Sequence, residues 1–189
     1  MNAFHYTVFP ALPGILSESR IRPRANDEGG SRLEAVWFSV NPHWDEGAGF
    51  LWADPQRPGS RKRLTMAALD CVFGVARLRT DTSDLTPLSR CRDEGKIARE
   101  YVNYYWGGAA SVGADADDWH VWLRGCYPLS RCAGLEVYQE GKWTPLRSMN
   151  DALPIVARRF ETLRARMGGA LDMGALLALA ATLSDGRSA

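Results

Sequence analysis

Phe4-His5-Tyr6-Thr7-Val8-Phe9 is the stretch that decides how this chain is read. Its aromatic and β-branched residues suit a strand, and residues two apart on a strand share one face. His5 and Thr7 therefore stand side by side and offer an imidazole and a hydroxyl to whatever lies above the sheet. A purely structural strand rarely needs both, because each polar group must find a partner once it is covered. Moving outward, Pro10 to Ser19 carries Leu12, Ile15 and Leu16 at helical spacing, with the prolines near the start where a helix tolerates them. Ile21 to Arg32 is rich in Arg, Pro, Asn and Gly and reads as a loop. It leads into Leu33-Glu34-Ala35-Val36-Trp37-Phe38-Ser39-Val40, a buried strand.

Asn41 to Arg63 mixes Trp44, Phe50 and Trp52 with Pro, Gly and charge, a long excursion holding at most a turn or two of helix. Leu64 to Leu69 suits a short helix or a strand, Cys71 to Leu78 a strand, and Asp81 to Leu88 a turn region. Arg90 to Trp106 has helical character and is expected to stop at Gly107-Gly108. Three further strands are expected at Trp119 to Leu123, Gly134 to Gln139 and Trp143 to Leu146, with Glu140-Gly141-Lys142 as a hairpin turn. Asn150 and Asp151 can cap a helix that holds Pro154 in its first turn and runs to Met167, and Leu171 to Leu183 suits another. The fold class is α+β: a domain over 1–148 and a helical extension over 149–189 packed on it.

With 189 residues, 46% of them hydrophobic, the chain can bury one sizeable core. Lys plus Arg number 23 against 22 Asp plus Glu, so bulk charge selects no partner, and a nucleic acid would need a local patch. Cys71, Cys91, Cys126 and Cys132 lack metal-site spacing and read as reduced cysteines in or near the core. Asp115-Ala116-Asp117-Asp118 lacks the spacing of a calcium loop, so no metal is expected. A basic secretion leader is lacking, and Leu171 to Leu183 is too short to span a bilayer, so the expected setting is cytoplasmic, without a membrane partner. A G-x-S-x-G elbow, a Walker loop and a dinucleotide glycine fingerprint are all missing, which argues against common hydrolases, NTPases and Rossmann dehydrogenases.

The order of pieces, His5-Tyr6-Thr7, a helix with Leu12 and Ile15-Leu16, a loop, then Val36-Trp37-Phe38-Ser39, resembles the ADP-ribosyltransferase superfamily, both its DNA-targeting toxins and its poly(ADP-ribose) polymerase-like domains. The resemblance spans Phe4 to Leu146. It implies a split mixed or antiparallel sheet and a cleft for NAD, which is the substrate. It also implies transfer of ADP-ribose to a macromolecular acceptor, protein or nucleic acid, in the setting of a toxin, a phage or defence effector, or a housekeeping enzyme. By the same resemblance His5 holds the nicotinamide-side ribose, Tyr6 stands where the polymerases have glycine, and Thr7, Trp37 and Ser39 support the cofactor. Trp44 or Phe50 stacks on the nicotinamide. The catalytic carboxylate is Glu136 if Leu135-Glu136-Val137-Tyr138 overlays the polymerase strand. If Trp119-His120-Val121 overlays the toxin strand, His120 occupies that position.

The chemistry stands apart from the name. Cleaving the nicotinamide–ribose bond builds oxocarbenium character that a nearby carboxylate stabilises, whereas histidine supplies no fixed negative charge. Glu100, on the mid-chain helix, is a third candidate that reads better as a solvated residue. Arg57, Arg61, Lys62 and Arg63 can neutralise the phosphates of NAD or of a nucleic acid, although a solvated basic loop explains them as well. Arg158, Arg159, Arg164 and Arg166 spread around a helix as an outer face. Two other readings stay open: an NAD glycohydrolase with the same site, and a non-catalytic module that binds a nucleotide or nucleic acid.

Overall fold

A computed structural model describes residues 1–26, 31–48, 51–53, 61–166 and 173–184. Its elements, in chain order, are β1 (Asn2–Val8), α1 (Leu12–Glu18), β2 (Arg20–Ile21), β3 (Arg24–Asn26), β4 (Ser31–Ser39), β5 (Leu51–Ala53), β6 (Arg61–Arg63), α2 (Met66–Val72), β7 (Val75–Asp81), β8 (Thr86–Pro87), α3 (Leu88–Asp93) and α4 (Arg99–Ser111). They continue with β9 (Trp119–Trp122), β10 (Tyr127–Pro128), β11 (Gly134–Gln139), β12 (Lys142–Pro145), α5 (Ala152–Arg166) and α6 (Met173–Ser184). Eight of these strands form one antiparallel sheet in the order β12-β11-β7-β1-β4-β9-β8, with β3 paired to β4. The fold is therefore α+β with a mostly antiparallel sheet.

β1 lies at the centre and is covered on both faces, which is why it reads as a nearly continuous apolar run. Its register with β7 is complete, from Asn2↔Asp81 to Val8↔Val75. With β4 it pairs only at Phe4↔Ser39, after which the two strands part and β3 pairs with the first half of β4. One face of the sheet, carrying Ala3, Val36, Phe38, Ala76, Leu78, Leu135 and Val137, packs under α1 and the start of α5 through Leu12, Ala152 and Val156. The other face is covered in two places. Val8 and Val75 meet Leu69 and Val72 of α2 and Leu176 and Ala180 of α6, while Ala35 and Val121 meet Leu88 of α3 and Tyr105 of α4. The two C-terminal helices thus supply core side chains, and α5 reaches both clusters, with Leu163 in the second.

Several boundaries differ from the expectation for identifiable reasons. Cys71 and Val72 close α2, and Gly74, at φ +78°, carries the chain out of the helix into β7. A side chain at Gly74 would strike the Phe9 ring, since its Cβ would lie 2.6 Å away. The expected helix over Arg90 to Trp106 is two helices, and Gly107-Gly108 sits inside α4 rather than ending it; the stop is Gly113, at φ +73°. Ser148, not Asn150, caps the turn before α5, in a capping box with Asp151. The excursion after β4 contains the β5–β6 ladder. Cys71 is exposed, not in the core. The β11–β12 hairpin turns at Glu140-Gly141, where both residues have positive φ, the geometry of a two-residue hairpin loop.

Candidate functional site

Strand register sorts the candidate residues onto opposite faces of the sheet. His5 pairs with Leu78 and thence with Leu135, on the α1–α5 face; Tyr6 pairs with Arg77 and thence with Glu136, on the other. His5 and Thr7 are therefore together, as alternation dictates, but Glu136 is not with them. Phe38 faces His120 across β4 and β9, and its ring centre is 5.8 Å from that of His5, so His5, Phe38 and His120 lie in a row on one face.

That row is closed. The His5 Nδ1 lies 2.9 Å from the Trp37 carbonyl, at the fork where β1 leaves β4. A carbonyl only accepts, so Nδ1 carries the proton and the imidazole stands in for a ladder donor. Thr7 is 6% exposed, Phe38 2% and His120 8%. Burial depresses the His120 pKa below its ordinary value, against a long 3.4 Å contact to the Asp118 carbonyl, so the neutral ring is favoured. Nearby, Thr80 Oγ1 donates to the Arg131 carbonyl at 3.0 Å, so the 2.5 Å contact with Tyr127 must be donated by the phenol.

The opposite face is built around Arg77. Its guanidinium carbon lies 4.1 Å from the Phe4 ring centre and 4.4 Å from that of Trp143. Nε donates to Glu136 Oε2 at 2.7 Å and Nη2 lies 2.5 Å from the same oxygen, while Nη1 donates to the Pro42 carbonyl. The pair is 8% and 13% exposed, so each charge depends on the other. The Glu136 carboxylate is thus occupied by a structural ion pair.

Arg77 also anchors the loop after β4. Tyr6 donates its hydroxyl to the Asn41 carbonyl at 2.5 Å, Asn41 Nδ2 donates to the Trp44 carbonyl at 2.8 Å, and Trp143 Nε1 donates to the His43 carbonyl at 2.7 Å. Ser39 Oγ accepts from the Asn41 backbone at 3.2 Å, and Asp45 accepts from Trp119 Nε1 and the Gly47 amide, both at 2.7 Å. Arg63 donates to the carbonyls of Glu46 and Gly47. Desolvation pushes the Tyr6 pKa up to about 12 although Arg77 opposes it.

Between this loop, the start of α2 and the β11–β12 hairpin lies a cavity of about 330 Å³ lined by His43, Trp44, Met66, Tyr138, Gly141, Lys142 and Trp143. Three aromatic side chains wall it, with Tyr138 and Trp143 edge-to-face at 5.2 Å and Trp44 edge-to-face with Tyr6 at 5.0 Å. Lys142 and His43 stand exposed beside it, and among the described residues the lining contains no carboxylate. The buried Trp44 Nε1 has no hydrogen-bond partner among the described residues.

No protein-family model, curated protein or solved structure matches this chain. Of the residues expected from sequence, Trp44 lines the cavity and Tyr6 supports it. Trp37 packs against Tyr105 and Trp119 under α4, with ring centres at 5.4 and 6.1 Å. Ser39, 4% exposed, holds the loop. Phe50 and Arg57 lie outside the described residues, as do the side chains of Glu100, Arg61 and Lys62. Among the described residues, no cluster of His, Cys, Asp and Glu could hold a metal, and no helix is long and apolar enough to cross a membrane. Sequence reasoning missed Arg77, Tyr138, Lys142 and Trp143. The signal for Arg77 was a charge inside the otherwise apolar Val75-Ala76-Arg77-Leu78, where only a buried partner makes an arginine tolerable.

Proposed function

We propose that this protein binds a nucleotide in the aromatic cavity beside Arg77, and that it binds without transferring. The cavity itself carries the reading: rings of Trp44, Tyr138 and Trp143 around a space of about 330 Å³, with the Lys142 ammonium beside it. A base stacks on indole and phenol faces whatever its identity, and an ammonium at the mouth favours the phosphate that follows it. Several hydrogen bonds and the Arg77 pair hold the walls, so little ordering is left to be done on binding.

A second reading is ADP-ribosyl transfer from NAD, supported by the row of His5, Phe38 and His120 on one face. It ranks below the first because Phe38 and His120 are buried, His5 is half-buried with Nδ1 committed to the Trp37 carbonyl, and His120 is disposed to be neutral, while Glu136 faces the other way and is held by Arg77. Calorimetric titration with AMP, ADP-ribose and NAD, with nicotinamide release followed in parallel, separates the two. The binding reading expects heat from all three ligands, a loss of about fivefold or more in Trp44→Leu, and no nicotinamide. Absence of binding at millimolar ligand would overturn it, and nicotinamide release abolished by His5→Ala would establish cleavage of NAD in its place, as transfer if ADP-ribose appears on a macromolecular acceptor and as hydrolysis if it is released free.

A further inference from the structure

Away from the cavity, the end of β9 presents an arrangement that neither reading uses. Trp122 is 6% exposed, edge-to-face with Tyr127 at 5.2 Å, and its Nε1 is buried without a hydrogen-bond partner among the described residues. A buried N–H without a partner is a donor already stripped of water, which an acceptor that reached it would satisfy. Two guanidinium groups attend the same ring: the Arg124 carbon lies 5.4 Å and the Arg131 carbon 5.1 Å from its centre.

Their charges are unevenly answered. Arg131 donates through Nη1 to Asp84, which leaves its other nitrogens available, and Arg124 is exposed with no ion pair among the described residues. The β2–β10 ladder sets Arg20 opposite Pro128 and so brings Arg20 and Arg22 to the same end of the molecule, where Glu18 is their carboxylate. Among the described residues, the ion pairs of these four arginines involve only Glu18 and Asp84. Planar guanidinia held against an aromatic ring have less rotamer freedom to lose on gripping an anion, and their forked donors match tetrahedral oxygens.

We propose that Trp122, Arg124 and Arg131 form a binding site for a phosphate-type oxyanion, with the indole N–H donating to one oxygen and the two guanidinia to the others. The site is independent of the aromatic cavity. Its ligand is either a free phosphate or one phosphate of a nucleic-acid backbone, which share this chemistry.

The test follows the indole N–H resonances of the ¹⁵N-labelled protein as inorganic phosphate is added, with Trp122→Phe identifying the Trp122 signal. A saturable shift of that signal is expected, weakened about tenfold in Arg124→Ala, an exposed position whose loss spares the core. A second arm adds a short single-stranded oligonucleotide. Tighter, steeply salt-dependent binding that Arg124→Ala weakens assigns the phosphate to a nucleic acid; binding no tighter than that of inorganic phosphate assigns it to the free ion. A Trp122 signal that does not move, or that moves equally in Arg124→Ala, overturns the proposal. Nucleotide binding in the Trp44 cavity is expected to be unchanged in Arg124→Ala, so failure here leaves that reading standing.

Discussion

On the face of the sheet that meets α1 and the start of α5, the polar side chains are spent on the fold; on the face that meets the loop after β4, they hold a cavity open. His5 closes the fork between β1 and β4 by bonding the Trp37 carbonyl, and Thr80 links Tyr127 to the Arg131 carbonyl inside the core. Across the sheet, Arg77 and Glu136 brace Trp143 and Pro42, beside the cavity of about 330 Å³. A histidine beside a threonine on a strand is thus compatible with a structural role, whereas a buried arginine next to a walled space is the better pointer to binding.

Breaking the ion pair has the largest expected effect. Glu136→Ala strands the Arg77 charge and is expected to cost about 3–5 kcal/mol in urea unfolding, whereas the double change Arg77→Met with Glu136→Leu recovers most of that loss. If Glu136→Ala is as stable as wild type, the pair does not brace the cavity face. Next in size, His5→Ala leaves the Trp37 carbonyl without its imidazole and is expected to cost about 1–3 kcal/mol of stability while nucleotide affinity, measured by calorimetry, stays unchanged. An affinity loss without a stability loss would move the binding function to the other face.

Titration sharpens the contrast with smaller effects. The folded pKa of His120 lies below its unfolded value, so the unfolded chain takes up the proton first. The resulting stability is present above about pH 6.5 and is lost as pH falls through the folded pKa. His120→Gln should flatten that acid slope. For Tyr6 the sign reverses: its folded pKa of about 12 exceeds the unfolded value near 10, so stability is present below pH 10 and declines as pH rises toward 12. Tyr6→Phe should remove that part of the alkaline loss, as measured by denaturant midpoints across pH. The smallest effect is Lys142→Ala, expected within about 0.5 kcal/mol of wild type in stability because the side chain is exposed, yet weaker for AMP than for uncharged adenosine.

Much of the fold could be read from local pattern. Gly134–Gln139 is a strand over the expected residues, and the turn at Glu140-Gly141 follows from its own chemistry. Gly107 and Gly108 misled because tertiary packing carries α4 past them through Tyr105 and Ala109, which are buried against β4 and β9. The face of each candidate was half legible. Alternation told that His5 and Thr7 share one, but only the pairing order of β11, β7 and β1 places Glu136 on the other. The cavity was the least legible feature, because it joins a loop, a helix start and a hairpin separated by about a hundred residues, as in the Trp143 bond to His43.

The most direct measurement is the map of backbone amide shifts when AMP is titrated into the ¹⁵N-labelled protein. Binding on the cavity face predicts that the changes centre on Trp44, Met66, Tyr138 and Lys142, with His5, Phe38 and His120 unmoved. Changes centred on His5 and His120, with the cavity silent, would contradict it.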